Sequence, residues 1–334
     1  MTPSVSVSVF GAAGYAGALS ARLIDRHPAF ALQAVTARSD VGRRLDDLYP
    51  HHRVALTLEE LDLDRHAGVD AAIVAYPHGA AAELVAELVR REVRVVDLSA
   101  DFRLRDPAVY AEWYREHPEP ALIADAVYGL PELYRDQIRD ARIVANPGCY
   151  PTATVLALAP LARAGLIGDV VVDAKSGVSG AGRAATDKTH FVTVDENLTP
   201  YGVPRHRHTP EIEQELAALG APVMITFAPH LIPLDQGELV SCYVALNSGG
   251  PTDARALYQE AYAGEPFVEL TDRPPGVRDV RETNICRISV HRDERTGKLI
   301  VFSALDNLWK GAASQAVQNL NLMFGRPEGE GITV

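Results

Sequence analysis

Cysteine is scarce in this sequence. Three of 334 residues are cysteine, namely Cys149, Cys242 and Cys286, and no two of them have C-x-x-C spacing. An odd and sparse set of this kind excludes a disulfide-stapled scaffold and fits a reducing compartment. We therefore expect a cytoplasmic protein held by a hydrophobic core, and a chain of this length is enough for two domains.

Long hydrophobic runs and excess positive charge are also missing. No stretch approaches the roughly 18 apolar residues of a membrane span, and the opening MTPSVSVSVFGAAG has no basic segment typical of a signal peptide. The net charge is -12, whereas nucleic acid binding needs a basic face. We expect neither a membrane nor a nucleic acid partner. A small anionic substrate needs only a local basic pocket and stays possible.

Strand and helix patterns alternate along the first part of the chain. Valine alternates with serine over residues 5–9, which is the period-2 pattern of a strand, and an amphipathic stretch with Leu19 and Leu23 on one face follows. This alternation is typical of a Rossmann-type, doubly wound parallel sheet in an α/β protein. Further strands are predicted at 31–35, 71–75, 94–98 and 142–145, a helix at 80–90, and short helices and loops over 101–140.

Strand patterns dominate the second part, which predicts an α+β domain with a mixed or antiparallel sheet for substrate binding and dimerisation. The predicted domains are 1–148, joined by a returning C-terminal helix within 308–334, and 149–307. Strands are predicted at 170–174, 223–228, 238–246, 285–291 and 299–304, and helices at 210–219, 252–263 and 310–323.

The segment Asn146-Pro147-Gly148-Cys149 places a thiol on a tight turn directly before a helical run. A cysteine at a helix start meets unpaired N–H groups and the positive end of the helix dipole. Both lower the pKa of the thiol and make thiolate available near neutral pH. Cys149 is therefore the candidate nucleophile. The alternative is a small buried apolar side chain, for which a Pro-Gly turn is an unusual place.

A glycine cluster follows the first strand and opens the first helix. Gly11, Gly14 and Gly17 form G-x-x-G-x-x-G, with Ala13 where the common dinucleotide motif has its middle glycine. Glycines here allow the backbone to approach a pyrophosphate at the helix N-terminus. The pattern predicts a dinucleotide site; a plain tight turn is the alternative.

The end of the next predicted strand carries Arg38 and Ser39, where an NAD site would place a carboxylate on the ribose hydroxyls. A guanidinium and a hydroxyl suit a 2′-phosphate instead. We therefore expect NADP(H) rather than NAD(H). A solvated surface arginine is the alternative.

Two more motifs follow predicted strands. Arg103 comes after the strand at 94–98, where it would clamp an anionic substrate group, unless it forms a surface pair with Asp101 or Asp106. The loop SGVSGAGR at 176–183 is made of small residues that allow close packing on a ligand, or it is a flexible turn.

The motif Arg205-His206-Arg207-His208 precedes a predicted helix that Thr209 would cap. This would hold His208 at a rigid junction as an acid/base beside a thiolate. The H-x-H spacing also suits a metal, but two arginines adjoin it and no other ligand cluster is visible, so we predict no metal.

Together these motifs resemble the N-acetyl-gamma-glutamyl-phosphate reductase family, in the wider aspartate-semialdehyde-dehydrogenase-like group. The resemblance spans nearly the whole chain through GAAGYAG, YPHG, LSADFRL, YGLPEL, NPGCYPTA, SGVSGAGR, HRHTPEI and LDNLWKGAASQAVQNLN. It implies Cys149 as nucleophile and His208 as general acid/base, with Arg103, Arg205 and Arg207 on an acyl phosphate substrate. The implied NADP(H) contacts are Gly11, Ala13, Gly14, Tyr15, Ala16, Gly17, Arg38, Ser39, Pro77, Ser179, Gly180 and Asn307.

The activity implied by the resemblance is NADPH-dependent reduction of N-acetyl-L-glutamyl 5-phosphate to the 5-semialdehyde through a cysteine thioester, in arginine biosynthesis. One alternative is the related reductase of lysine biosynthesis, whose aminoadipyl phosphate is bound to a carrier protein. Another is a non-redox thiol acyltransferase or hydrolase, which needs no glycine loop. A large mixed sheet often pairs across subunits, so a homodimer or homotetramer is expected.

Overall fold

A computed structural model describes residues 5–247 and 253–332. The chain forms two compact units. Residues 5–148 and 312–332 make up the first unit, and the rest of the described chain, from 149 to 311, makes up the second. The chain thus returns to the first unit at 312, whereas the sequence predicts the return at 308. No described helix has the length and apolar content that a bilayer crossing requires.

The first unit is built on a six-stranded sheet in the order β2-β1-β3-β4-β6-β5, and every pairing in it is parallel. Of its central strands, β3 is fully buried and β4 is buried except at Arg94, as expected for a sheet covered on both faces. The chain runs from β1 to β2 on one side and then crosses to β3 on the other, so the topological switch point lies beside β1. The strands are β1 (Val5–Phe10), β2 (Phe30–Thr36), β3 (Ala71–Val74), β4 (Arg94–Asp97), β5 (Ala126–Tyr128) and β6 (Ile143–Ala145).

Apolar helix faces cover this sheet. Leu84, Val85 and Leu88 of the fourth helix are buried in one core with Phe10 and Val95. The last helix packs on the first and sixth helices of the same unit. These helices are α1 (Tyr15–Asp25), α2 (Leu45–Leu48), α3 (Leu63–His66), α4 (Ala82–Arg90), α5 (Pro107–Trp113), α6 (Pro131–Asp140) and α11 (Ser314–Met323).

The second unit holds a seven-stranded mixed sheet in the order β11-β12-β13-β10-β7-β9-β8. Strand β10 lies antiparallel between β7 and β13, while β7 and β9 run parallel. Its strands are β7 (Ile167–Gly177), β8 (Thr199–Pro200), β9 (Ile225–Ile232), β10 (Glu238–Leu246), β11 (Val268–Leu270), β12 (Cys286–Arg292) and β13 (Leu299–Leu305). The predicted combination of a parallel α/β unit and a mixed-sheet unit is confirmed.

The central helix of the second unit packs against β10 and β13. It is buried along almost its whole length, because its residues are alanine, leucine, valine and threonine rather than charged ones. The helices of this unit are α7 (Cys149–Arg163), α8 (Phe191–Val194), α9 (Thr209–Ala218) and α10 (Ala254–Ala261). A π-helical turn at Trp309–Ala313 precedes α11. The predicted start of α10 at Thr252 lies outside the described residues.

Candidate active site

Cys149 is the first residue of α7, as the turn before it predicts. Its side chain is partly exposed and forms no disulfide. A Cβ at Gly311 would lie 2.8 Å from Cys149 Cβ, so only glycine permits the neighbouring backbone to approach this closely. The first-turn N–H groups of α7 supply the partial positive charge that favours a thiolate.

Tyr150 connects the thiol to the histidine motif. The tyrosine is buried, and its ring meets the rings of His206 and His208 edge-on at centroid distances of 5.8 and 5.9 Å. Tyr201 donates a hydrogen bond from its hydroxyl to Tyr150 Oη at 3.3 Å. His208 therefore lies against the residue that follows Cys149, in the same unit.

The two histidines have different environments. Burial, together with the charge of Arg207, lowers the pKa of His206 to about 4, so its ring is neutral at physiological pH. Its Nδ1 accepts a hydrogen bond from the backbone N–H of His208 at 3.1 Å. His206 thus supports the backbone that carries His208. No cluster of three or more metal-ligating side chains occurs in the described part of the chain.

The predicted capping role of Thr209 is wrong. Helix α9 begins at Thr209 itself, so the capping position falls on His208, which makes no side-chain capping hydrogen bond. The helix begins one residue before the expected Pro210 because proline is well tolerated in the first turn.

Glu238 also lies in this cluster, and the sequence analysis does not single it out. It is the first residue of β10 and its side chain is completely buried. Among residues 5–247 and 253–332, neither carboxyl oxygen has a hydrogen-bond partner of ordinary geometry. The pKa of Glu238 is raised to about 8, chiefly by burial; interaction with the Cys149 thiol lowers this pKa, and the charge of Asp306 raises it.

Asn307 ties two loops together beside this cluster. Its Nδ2 donates to Ser179 Oγ at 3.0 Å, and its Oδ1 accepts from the N–H of Gly237 at 2.7 Å. A Cβ at Gly180 would lie 3.2 Å from Ser176 Oγ and 3.7 Å from Asn307 Nδ2. The structure thus brings Ser179, Gly180 and Asn307 together next to Glu238.

The glycine loop lies at the carboxyl end of β1, at the switch point of the first sheet. Gly11 has φ +91°, and a Cβ there would lie 2.5 Å from the carbonyl oxygen of Ala75. A Cβ at Gly17 would lie 2.4 Å from Gly11 O, whereas one at Gly14 would meet only Gly11 O at 3.7 Å. Ala13 is buried and its carbonyl accepts a hydrogen bond from the hydroxyl of Tyr49.

Arg38 and Ser39 are both exposed just beyond β2. The Arg38 guanidinium lies over the ring of Tyr76, 4.8 Å from its centroid. Pro77 follows Tyr76 and is exposed as well. The predicted 2′-phosphate corner and the YPHG turn therefore meet at the carboxyl edge of the sheet.

Arg103 is buried rather than on the surface. Its Nε donates to the carbonyl of Asn146 and its Nη2 to that of Leu98, both at 2.8 Å. Asp101, two residues earlier, accepts backbone hydrogen bonds from Gly79, Ala81 and Ala82. The LSADFRL motif therefore forms hydrogen bonds to the YPHG turn and to the turn that contains Asn146.

Arg205 and Arg207 are exposed on the segment that leads to His208. The charge of Arg207 lowers the pKa of both His206 and Tyr201, so it lies near these two side chains. Arg103 belongs to the first unit and these two arginines to the second.

Two family models match the chain. The semialdehyde dehydrogenase NAD binding domain matches residues 6–141, and the semialdehyde dehydrogenase dimerisation domain matches residues 149–307. N-acetyl-gamma-glutamyl-phosphate reductases from Alkalilimnicola ehrlichii and Rubrobacter xylanophilus are each 47% identical to the chain, and each alignment covers 98% of both sequences. The chain belongs to the N-acetyl-gamma-glutamyl-phosphate reductase family.

Solved structures agree with this membership at the level of the fold. Aspartate semialdehyde dehydrogenase II from Vibrio cholerae, complexed with ASA, has a TM-score of 0.73 at 20% identity, over 97% of this chain and 99% of that one. The enzyme from Candida albicans, solved with NADP, has a TM-score of 0.71 at 14% identity, over 96% and 98% of the two chains. The family shares its two-unit architecture with these enzymes.

Proposed function

We propose that this protein reduces N-acetyl-L-glutamyl 5-phosphate to N-acetyl-L-glutamate 5-semialdehyde with NADPH, as a step of arginine biosynthesis. The observation that carries the proposal is Cys149 at the start of α7, with His208 packed against the adjacent Tyr150. The 47% identity to reductases with this activity in their name supports the choice of substrate.

Cys149 acts as the nucleophile. Its thiolate attacks the acyl carbon, and the tetrahedral oxyanion accepts hydrogen bonds from first-turn N–H groups of α7. Phosphate leaves and a thioester on Cys149 remains. Bound NADPH supplies the hydride that reduces this thioester.

His208 acts as the general acid/base. When the resulting hemithioacetal collapses to the aldehyde, the C–S bond breaks and the sulfur leaves as a thiolate. His208 donates a proton to the oxyanion that hydride addition leaves, and it takes the same proton back as base when the hemithioacetal collapses. His206 is less suited to this role, because a pKa of about 4 makes its ring a weak base and its Nδ1 already accepts a hydrogen bond from the His208 N–H.

The first unit has residues that fit a dinucleotide. Helix α1 begins without a side-chain cap, so its first-turn N–H groups are available to a phosphate. A Cβ at Gly14 would meet only Gly11 O, at an ordinary contact distance of 3.7 Å. The proposed NADP(H) contacts are Gly11, Ala13, Gly14, Tyr15, Ala16, Gly17, Arg38, Ser39, Pro77, Ser179, Gly180 and Asn307.

Arg103, Arg205 and Arg207 are the proposed substrate-binding residues. Arg103 already donates to two backbone carbonyls, so it would bind phosphate only with its remaining N–H groups. Arg205 and Arg207 are exposed, so a ligand in solution can reach them.

The test is an NADP(H) assay in both directions, with the acyl phosphate and with the semialdehyde plus phosphate. Cys149→Ser should lose at least about 1000-fold in kcat, because an alkoxide is far harder to form than a thiolate. Binding of NADPH, measured by fluorescence, should persist. Cys286→Ser is the control, since that thiol is buried beside Ser303 Oγ and should tolerate a hydroxyl.

Substantial turnover by Cys149→Ser would refute covalent catalysis. Turnover only with an acyl phosphate on a carrier protein would refute the free substrate.

The proposed assembly is a homodimer or homotetramer, and the proposed location is the cytoplasm. The match of residues 149–307 to a dimerisation domain supports self-association. None of the three cysteines forms a disulfide within the described residues, which is compatible with a reducing compartment.

A further inference from the structure

The buried carboxyl of Glu238 faces the reactive thiol. Glu238 begins β10 and, like Val240 and Cys242 two and four residues later, points to the buried side of that strand. Helix α7, which starts at Cys149, packs against β10. The Cys149 thiol interacts with the Glu238 carboxyl and lowers its pKa.

Its environment differs from that of the other buried carboxyl nearby. Asp306 accepts hydrogen bonds from the N–H groups of Glu282, Leu308 and Trp309, which favour its ionised form. Glu238 accepts no such N–H bond from the described residues, and both of its oxygens are buried. An ionised carboxylate without donors is costly in such a site, so the protonated form is the stable one.

The protonated form also suits the chemistry. A carboxylate beside Cys149 would repel the thiolate and raise the pKa of the thiol, which opposes nucleophilic attack. A neutral carboxylic acid has one O–H to donate, and the sulfur anion is an acceptor.

We propose that Glu238 acts as a neutral acid that donates a hydrogen bond to the Cys149 sulfur and stabilises its thiolate. Glu238 keeps its proton in this role, so no proton is transferred through it. The proposal deepens the proposed function, because it names a further residue at the nucleophile. It does not depend on the identity of the substrate.

Other titratable groups surround the pair. Asp306 follows β13, Tyr150 lies on α7 and Tyr201 follows β8, and their charges couple to Glu238 or to Cys149. The rings of His206 and His208 contact Tyr150. Burial raises the pKa of both tyrosines, so they stay neutral across the relevant range.

The test is the rate of iodoacetamide alkylation of Cys149 as a function of pH, on the full-length protein without ligands and with the site identified by mass spectrometry. In the wild type, the alkylation rate should rise a first time with increasing pH as the thiolate forms. A second rise is expected above pH 8, because the neighbouring thiolate raises the pKa of Glu238 beyond its value of about 8; once Glu238 loses its proton, the thiolate becomes more basic and more nucleophilic.

Two variants separate the roles of the side chain. Glu238→Gln keeps an N–H donor but does not titrate, so the second rise should disappear while the first stays. Glu238→Leu removes the donor, and the first rise should move up by about one pH unit, a tenfold weaker thiol acid. Glu213→Gln, at a half-buried carboxyl of α9 that bonds the N–H of Ile225, is the matched control and should keep both rises.

Two outcomes would overturn the proposal. A second rise that persists in Glu238→Gln would assign the titration to another group. A first rise that moves to lower pH in Glu238→Gln would mean that Glu238 is ionised and opposes the thiolate. Alkylation needs no substrate, so these outcomes are independent of a failed acyl phosphate assay.

Discussion

Arg38 is held in place although it is exposed. Its guanidinium stacks over the Tyr76 ring, and Tyr76 itself is buried. Arg38 makes no ion pair within residues 5–247 and 253–332. Nearby Arg43 and Arg44, in contrast, pair with Asp40 and Asp46. A positioned guanidinium without a carboxylate partner is suited to a phosphate.

Arg38→Ala should therefore weaken NADPH binding by roughly 10- to 100-fold, since a charge-assisted hydrogen bond is worth about 1.5–3 kcal/mol. NADH binding should change far less, because it lacks the 2′-phosphate. Titration calorimetry with both dinucleotides measures the difference. Arg43→Ala is the matched control and should leave both affinities near wild type. Equal losses for NADPH and NADH in Arg38→Ala would exclude a 2′-phosphate contact.

Residues whose role depends on local sequence were the ones that could be predicted. The position of Cys149 at a helix start could be predicted because proline, glycine and a helical run surround it, and the structure places it at the start of α7. Glu238 was not found, because one glutamate at the edge of a strand pattern is ordinary. Its burial and its proximity to Cys149 come from pairing between β10 and its neighbours, which are distant in sequence.

The glycine loop contains two glycines that the fold requires and one that it does not. Gly11 and Gly17 are required by the fold, because a Cβ at either would lie within 2.6 Å of backbone oxygen. Gly14 is different, since its φ is −81° and only one backbone atom is near a Cβ placed there. Nothing in the described protein requires glycine at 14, so a ligand that approaches the helix start is the reason we propose.

Substitution of these glycines by alanine should therefore have different effects, on stability at Gly17 and on NADPH binding at Gly14. Gly17→Ala should lower the free energy of unfolding by about 1–3 kcal/mol, the usual cost of overpacking. Gly14→Ala should unfold near the wild-type midpoint in urea but bind NADPH at least about tenfold more weakly, because a methyl group would block the backbone from the pyrophosphate. Normal NADPH affinity in Gly14→Ala would place the dinucleotide elsewhere.

Helices and strands with clear periodicity were predictable, and irregular segments were not. β1, β3 and α4 lie where valine alternation and apolar runs place them. The short strand β5 was missed within 101–140, because three residues show no period and the strand forms only by pairing with β6. Asp101 was overlooked for a similar reason, since it fixes the YPHG turn through contacts more than 18 residues away.

At the scale of the whole molecule, the sheet of the second unit has a face that α7 does not cover. Cys242 on β10 and Val301 on β13 are fully buried, and their neighbours Tyr243 and Ile300 point to the opposite face. Tyr243 is 36% exposed there. A large aromatic side chain at the centre of a sheet face is an expected anchor for a second subunit.

Tyr243→Glu tests this surface. A charge at the centre of an apolar interface should raise the dissociation constant of the oligomer by at least about 30-fold, because hot-spot residues contribute 2 kcal/mol or more. Analytical ultracentrifugation across a dilution series measures the shift toward monomer. Leu61→Glu is the matched control, since Leu61 is also 36% exposed but belongs to the first unit. If Tyr243→Glu sediments as wild type does, self-association must use another surface, and the open face of the sheet would have to be explained without a partner copy.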